Sequence, residues 1–101
     1  MAETPTQFDV EHEGGRNRFV IRSGGEEAVL EYQELTEKIV FTHTGVPGAL
    51  EGRGIGSDLA RAGLDWARAA GKRVVPVCPF VAAYVARHPE YSDLVRRGAE
   101  A

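Results

Sequence analysis

The residues best suited to chemistry lie in one short stretch, Glu51-Gly52-Arg53-Gly54-Ile55-Gly56-Ser57. Its closely spaced glycines leave a backbone with little side-chain bulk and the freedom to adopt positive φ. A run with helical periodicity follows directly. A glycine turn feeding a helix N-terminus presents unpaired N–H groups and the positive end of a dipole, which suits an anion such as a pyrophosphate. No Lys-Ser/Thr pair follows the glycines, so this is not a Walker loop, and the spacing is not that of a dinucleotide fingerprint. A plain tight turn accounts for the glycines equally well at this point. Two other side chains carry reactive groups. His43 offers an imidazole, the side-chain type that exchanges protons near neutrality, although a half-buried histidine bonded to a sheet is an equally common fate. Cys78, the single cysteine, offers a thiol nucleophile, against the commoner fate of a small buried hydrophobe.

The elements that must position these groups are bounded by the bulk properties. A chain of 101 residues is expected to form one domain with a real but modest core. A net charge of −3 without a basic cluster argues against nucleic acid as a partner. No apolar run is long enough to span a bilayer, and the start Met-Ala-Glu-Thr-Pro lacks the features of a signal peptide. A lone cysteine makes no internal disulfide, which fits a cytoplasmic setting. His12, His43 and His88 fall in separate segments without ligand spacing, so no metal site is expected.

Residues Met1 to Gln7 are polar and expected to be loose. Phe8, Val10 and His12 alternate with acids as a short edge strand. Asn17 to Arg22 alternates cleanly, Ser23-Gly24-Gly25-Glu26 makes a hairpin turn, and Ala28, Leu30 and Tyr32 mark the returning strand. A third strand, Lys38 to Thr44, places Ile39, Phe41 and His43 on one face. The first half therefore reads as an antiparallel meander. In the run 55–70, Ile55, Leu59, Ala62, Trp66 and Ala70 form an apolar stripe, opposite a solvated stripe of Asp58, Arg61, Asp65, Arg68 and Lys72. Gly71 ends that helix. Arg73 to Val77 reads as a buried strand, making a right-handed parallel crossover. Pro76 inside it fits either an edge strand or a strand that diverges there and opens a slot. Pro79 starts a helix that Pro89 ends, and Asp93 to Arg97 makes a last helical turn. Trp66 and Phe80 are assigned to the core. The fold class is α/β with a mixed sheet.

Four pieces, His43-Thr44-x-Val46-Pro47, Leu50-Glu51-Gly52-x-Gly54-Ile55-Gly56, Val75-Pro76-x-Cys78-Pro79-Phe80-Val81 and Tyr84-x-x-x-His88-Pro89-Glu90-Tyr91, occur in this order. Together, over about Phe19 to Val95, they resemble the minimal acetyltransferase-like subgroup of the GNAT N-acetyltransferase superfamily. The resemblance implies acetyl-coenzyme A wedged between splayed parallel strands, a C-terminal helix, and an amine acceptor. It places the pyrophosphate on Glu51, Gly52, Arg53, Gly54, Ile55, Gly56 and Ser57, and the pantetheine arm along Thr44 and Val46. Glu51 departs from the Gln/Arg that usually opens the family's loop; a carboxylate there is repulsive unless Arg53 or the helix dipole offsets it.

The resemblance also implies three catalytic candidates. Cys78 ends the second wedge strand opposite His43, so it could carry an acetyl group with His43 as its base, although most of the superfamily transfers directly to the amine. Tyr84 falls where many members have a tyrosine that protonates the leaving thiolate, and a packing aromatic is the competing account. Larger members place helices between their first two strands; here Ser23-Gly24-Gly25 connects them directly. An open acceptor side follows, fitting a protein acceptor or a site completed by a weak homodimer as against a monomer. The rival readings are a coenzyme A-binding module without catalysis and a small interaction domain.

Overall fold

The computed structural model describes residues 8–99; the tail expected over Met1 to Gln7 lies outside them. Five strands, β1 (Glu11–Glu13), β2 (Arg18–Ser23), β3 (Glu26–Glu34), β4 (Lys38–Gly45) and β5 (Arg73–Pro76), form one mixed sheet in that spatial order. The first three junctions are antiparallel and β4–β5 is parallel. Helix α1 (Ile55–Ala69) makes the crossover, and α2 (Pro79–Arg87) and α3 (Ser92–Ala99) follow β5. The expected meander and β-α-β crossover are therefore present. Gly24 and Gly25, at φ 59° and 83°, turn β2 directly into β3, as a primed hairpin turn requires. The first strand is shorter than its alternation suggests: Phe8 and Val10 precede β1 yet pack against the core.

Ala28, Leu30 and Tyr32 of β3, with Ile39 and Phe41 of β4, face α1 in one core. The buried stripe of α1 is Ile55, Leu59, Ala60, Leu64 and Ala67, rotated from the expected one. Ala62 and Trp66 sit at its margin, and Ala70 is exposed. Gly63 explains the rotation. A Cβ there would lie 2.8 Å from the Phe41 ring and 2.9 Å from Leu30 Cδ2, so the helix rests directly on the sheet along its glycine. Trp66 then lies against Tyr32, His12 and Phe19, with ring centroids 4.7, 4.6 and 5.6 Å away. Asp58, expected in solvent, is 6% exposed. Its Oδ2 accepts the Phe8 N–H at 3.2 Å. The last turn of α1 closes with Gly71 at φ 71° and its N–H on the Arg68 carbonyl, an αL C-terminus that favours glycine.

On the opposite face Arg18 and Arg22 reach Glu11, Glu13 and Glu27 across β1–β3. Arg22 and then Arg18 hydrogen-bond Glu13 and hold the pKa of its carboxyl at about 2, below the ordinary glutamate value of 4.5. A folded-state value below the unfolded one stabilises the fold above the unfolded pKa, and that stabilisation drains as pH falls through the folded value. The urea midpoint of the parent should accordingly exceed that of Glu13→Gln at neutral pH, with the gap narrowing from about pH 4.5 to vanish near pH 2. The same gap at both ends would refute the assignment.

Candidate functional site

The parallel ladder of β4 and β5 has four rungs, from Lys38↔Arg73 to Phe41↔Pro76. Beyond it the strands part. Pro76 has no N–H to continue the ladder, and the Cys78 N–H makes a last tie to the Phe41 carbonyl at 2.9 Å. β4 runs on to Gly45 while still paired with β3 on its other side. β5 is thus an edge strand that also diverges at its proline.

A β-bulge lies at the parting. Tyr32 pairs with Phe41 but Glu31 pairs with His43, so Thr42 is an extra residue on β4. One inserted residue reverses the alternation downstream. Leu30 and Tyr32 share the core face, and their partners Thr44 and Phe41 share it too. His43 turns to the other face, opposite Glu31; a Cβ on Gly45 would lie 3.1 Å from His43 Nε2 and 3.7 Å from Val29 on that face. The expectation that Ile39, Phe41 and His43 share one face is therefore corrected. Thr44, not His43, meets Cys78: its Oγ1 lies 2.9 Å from the sulfur.

A cleft of about 510 Å³ opens beside the parted strands. Thr44 and Val46 of the β4 end form one side, the turn through Leu50, Glu51 and Gly52 a second, and the start of α1 the floor. Gly52 and Gly54 have φ 79° and 83°. A Cβ on Gly52 would meet nothing within 4 Å, so conformation rather than space asks for glycine there. Gly54 is the N-cap of α1, and no side chain caps that end. The amides of Ile55, Gly56 and Ser57 thus lie in the first turn, where a helix offers no internal acceptor. Phe80 and Arg87 of α2 form the remaining wall.

A model of the family described as GCN5-related N-acetyl-transferase matches residues 18–94. The chain belongs to this family. Among curated relatives, Protein NATD1 of Gallus gallus is 35% identical over 92 residues, covering 88% of this chain and 84% of the relative. Protein NATD1 of Homo sapiens is 37% identical over 83 residues, 79% of this chain and 74% of the relative. A GCN5-like protein from Staphylococcus aureus, solved in solution by NMR, superposes with a TM-score of 0.68 at 25% identity, covering 89% of each chain.

Set against the positions the GCN5-related pattern implies, the cleft walls include Thr44, Val46, Glu51, Gly52, Gly54, Ile55, Gly56 and Ser57. Arg53 is turned away, its guanidinium 6.0 Å above the Phe8 ring, so it does not balance Glu51 inside the cleft. Cys78 is buried behind Thr44 at the N-cap of α2. Tyr84 is 1% exposed, with its ring stacked on His88 at 3.9 Å. Its hydroxyl receives the Arg61 guanidinium, a hydrogen bond that raises the Arg61 pKa. The structure thus brings the glycine turn and Thr44 to one cleft and ties Cys78 to Thr44 behind the wall, while Cys78, His43 and Tyr84 stay out of the lining.

Sequence reading missed Leu50, Phe80 and Arg87. Phe80 was assigned to the core but is 36% exposed and forms wall. Gly56 is why: a Cβ there would lie 2.6 Å from the Phe80 ring, so the ring lies over the bare start of α1. The seven-residue spacing of Phe80 and Arg87 places them on one helix face. Which way that face looks is decided by packing. Among the described residues no helix is long and apolar enough to cross a membrane.

Proposed function

We propose that this cleft binds acetyl-coenzyme A and that the protein, acting as one domain over residues 1–101, transfers the acetyl group to an amine. The parting of β4 and β5 beside the uncapped start of α1 carries the reading. The residues present fit such a molecule: amide donors and Arg87 for phosphates, with Val46, Leu50 and Phe80 for a less polar arm. The thioester supplies an activated acyl group. The amides from Gly52 to Ser57 hold the pyrophosphate against the α1 dipole, while Thr44 and Val46 line the arm.

Cys78 can take the acetyl group as a nucleophile: its sulfur bonds the carbonyl carbon, the bond to the coenzyme sulfur breaks, and the thiol proton passes to the departing thiolate. The Thr44 hydroxyl, 2.9 Å away, orients that sulfur. The amine then attacks the acetyl carbon, the carbon–sulfur bond to Cys78 breaks, and the amine proton passes to the departing Cys78 thiolate. His43 lies on the other face of the sheet, the side open to an acceptor. Burial of Tyr84 and its bond from Arg61 support packing as its role. The direct turn from β2 to β3 leaves the acceptor side open and suits an amine on a protein. A cytoplasmic monomer or weak homodimer goes with this reading.

Coenzyme A at about 1,000 times its Kd should stabilise the fold by about 4 kcal/mol and raise the melting temperature by on the order of 15 °C. An unchanged melting curve would sink the reading in favour of an interaction domain. The same open acceptor side favours a second possibility, a coenzyme A-binding module without turnover. Acetylation of supplied amines, compared with Cys78→Ala and His43→Ala, separates the two. A labelled Cys78 peptide after mixing with acetyl-coenzyme A, absent from Cys78→Ala, marks the covalent route.

A further inference from the structure

The charge balance of the cleft is not the one its loop sequence suggests. Glu51 puts a carboxylate on the wall, and Arg53 lies over Phe8 instead of beside it. The cationic side chain that does line the cleft is Arg87, the last residue of α2. Most other arginines already hold partners: Arg18 and Arg22 bridge acids, Arg61 meets Tyr84, and Arg68 and Arg73 pair with Asp93 and Glu37. Arg87 is exposed and makes no hydrogen bond or ion pair with any described residue. A cation near a helix C-terminus gains a little from the dipole wherever its side chain points, so that effect does not explain its place on the cleft wall. Two turns of α2 separate it from Phe80, which lies over the start of α1. On one cleft, a guanidinium with five N–H donors in a fixed fork and the first-turn amides of α1 with their helix dipole face the same guest.

We propose that Arg87 grips a phosphate of coenzyme A and is the side chain that sets affinity for its nucleotide end. This rests on the coenzyme A reading above. The phosphate is either the pyrophosphate or the 3′-phosphate of the same molecule.

Calorimetry on the full chain with coenzyme A, dephospho-coenzyme A and pantetheine tests it. Arg87→Ala should bind coenzyme A about 10- to 100-fold more weakly, as loss of a charged hydrogen bond implies, with Arg87→Lys between. Arg16→Ala, on the turn between β1 and β2, removes the same charge elsewhere and should leave binding unchanged. A loss shared by coenzyme A and dephospho-coenzyme A places the guanidinium on the pyrophosphate; one confined to coenzyme A places it on the 3′-phosphate. Either supports the proposal. An equal loss for pantetheine, which has no phosphate, would overturn it, and so would unchanged binding by Arg87→Ala; in the latter case the coenzyme A reading survives. If the parent protein shows no heat with coenzyme A, both fall.

Discussion

Gly56→Glu is expected to weaken coenzyme A binding about 100-fold while leaving the fold standing. Gly56 lies in the first turn of α1, where no side chain caps the helix and where the Phe80 ring closes over the backbone. A carboxylate introduced there sits among the amides meant for the diphosphate. Two like charges 5 Å apart repel by about 3 kcal/mol at an effective dielectric near 20, roughly 100-fold in affinity. The side chain also displaces the Phe80 ring, whose tip a Cβ there would meet at 2.6 Å; Phe80 is partly exposed, so its ring has room to turn outward. Stability moves far less, because a carboxylate in the first turn complements the dipole and glutamate is a better helix former than glycine. Thermal melts without ligand should therefore shift only slightly, while the coenzyme-dependent rise falls to about a third of the parent's. Retention of most of the affinity would show that the anion lies elsewhere.

Phe41→Ala should give the largest loss of stability of any single truncation near the site. Phe41 is fully buried, packs on Gly63 of α1 and meets the Tyr32 ring edge-on at 6.3 Å. Its carbonyl receives the last tie from Cys78 before the strands part. Removing such a ring costs about 3–5 kcal/mol through lost burial and the cavity left behind. In a domain of this size that lowers the melting temperature by on the order of 15 °C. Phe80→Ala, which removes an equal volume from a half-exposed wall, should cost about 1 kcal/mol or less. Urea titrations of the two variants give the comparison. Equal losses would mean that the core is not gathered under α1 at Phe41.

The regular elements could be read from the sequence because local chemistry decides them. Alternation in Arg18–Ser23 and Glu26–Glu34, the paired glycines between them, Gly71 after α1 and Pro79 at the start of α2 each act within a few residues. Pro76 pointed to the slot for the same reason: a missing donor is a property of the residue itself. What escaped was set between elements. The extra residue at Thr42 exists only relative to β3, so the period-2 pattern carried His43 onto the wrong face. The seat of α1 on Gly63 turned the buried stripe away from Ala62 and Ala70. The orientation of α2 made Phe80 and Arg87 cleft wall, and no periodicity in nine residues states where a helix faces.

The inserted residue in β4 divides that strand into two lengths with opposite phase. Upstream, the odd positions Ile39 and Phe41 answer to the packed interior; downstream, the even positions Thr44 and Val46 line the groove, and His43 and Gly45 take the other face. A substitution in the downstream length can therefore retune the groove without loosening the interior. Removing one residue between Phe41 and Thr44 would take out the bulge and its local bend yet leave Thr44 opposite Leu30, so the deletion tests the twist of the strand at the groove with both faces kept.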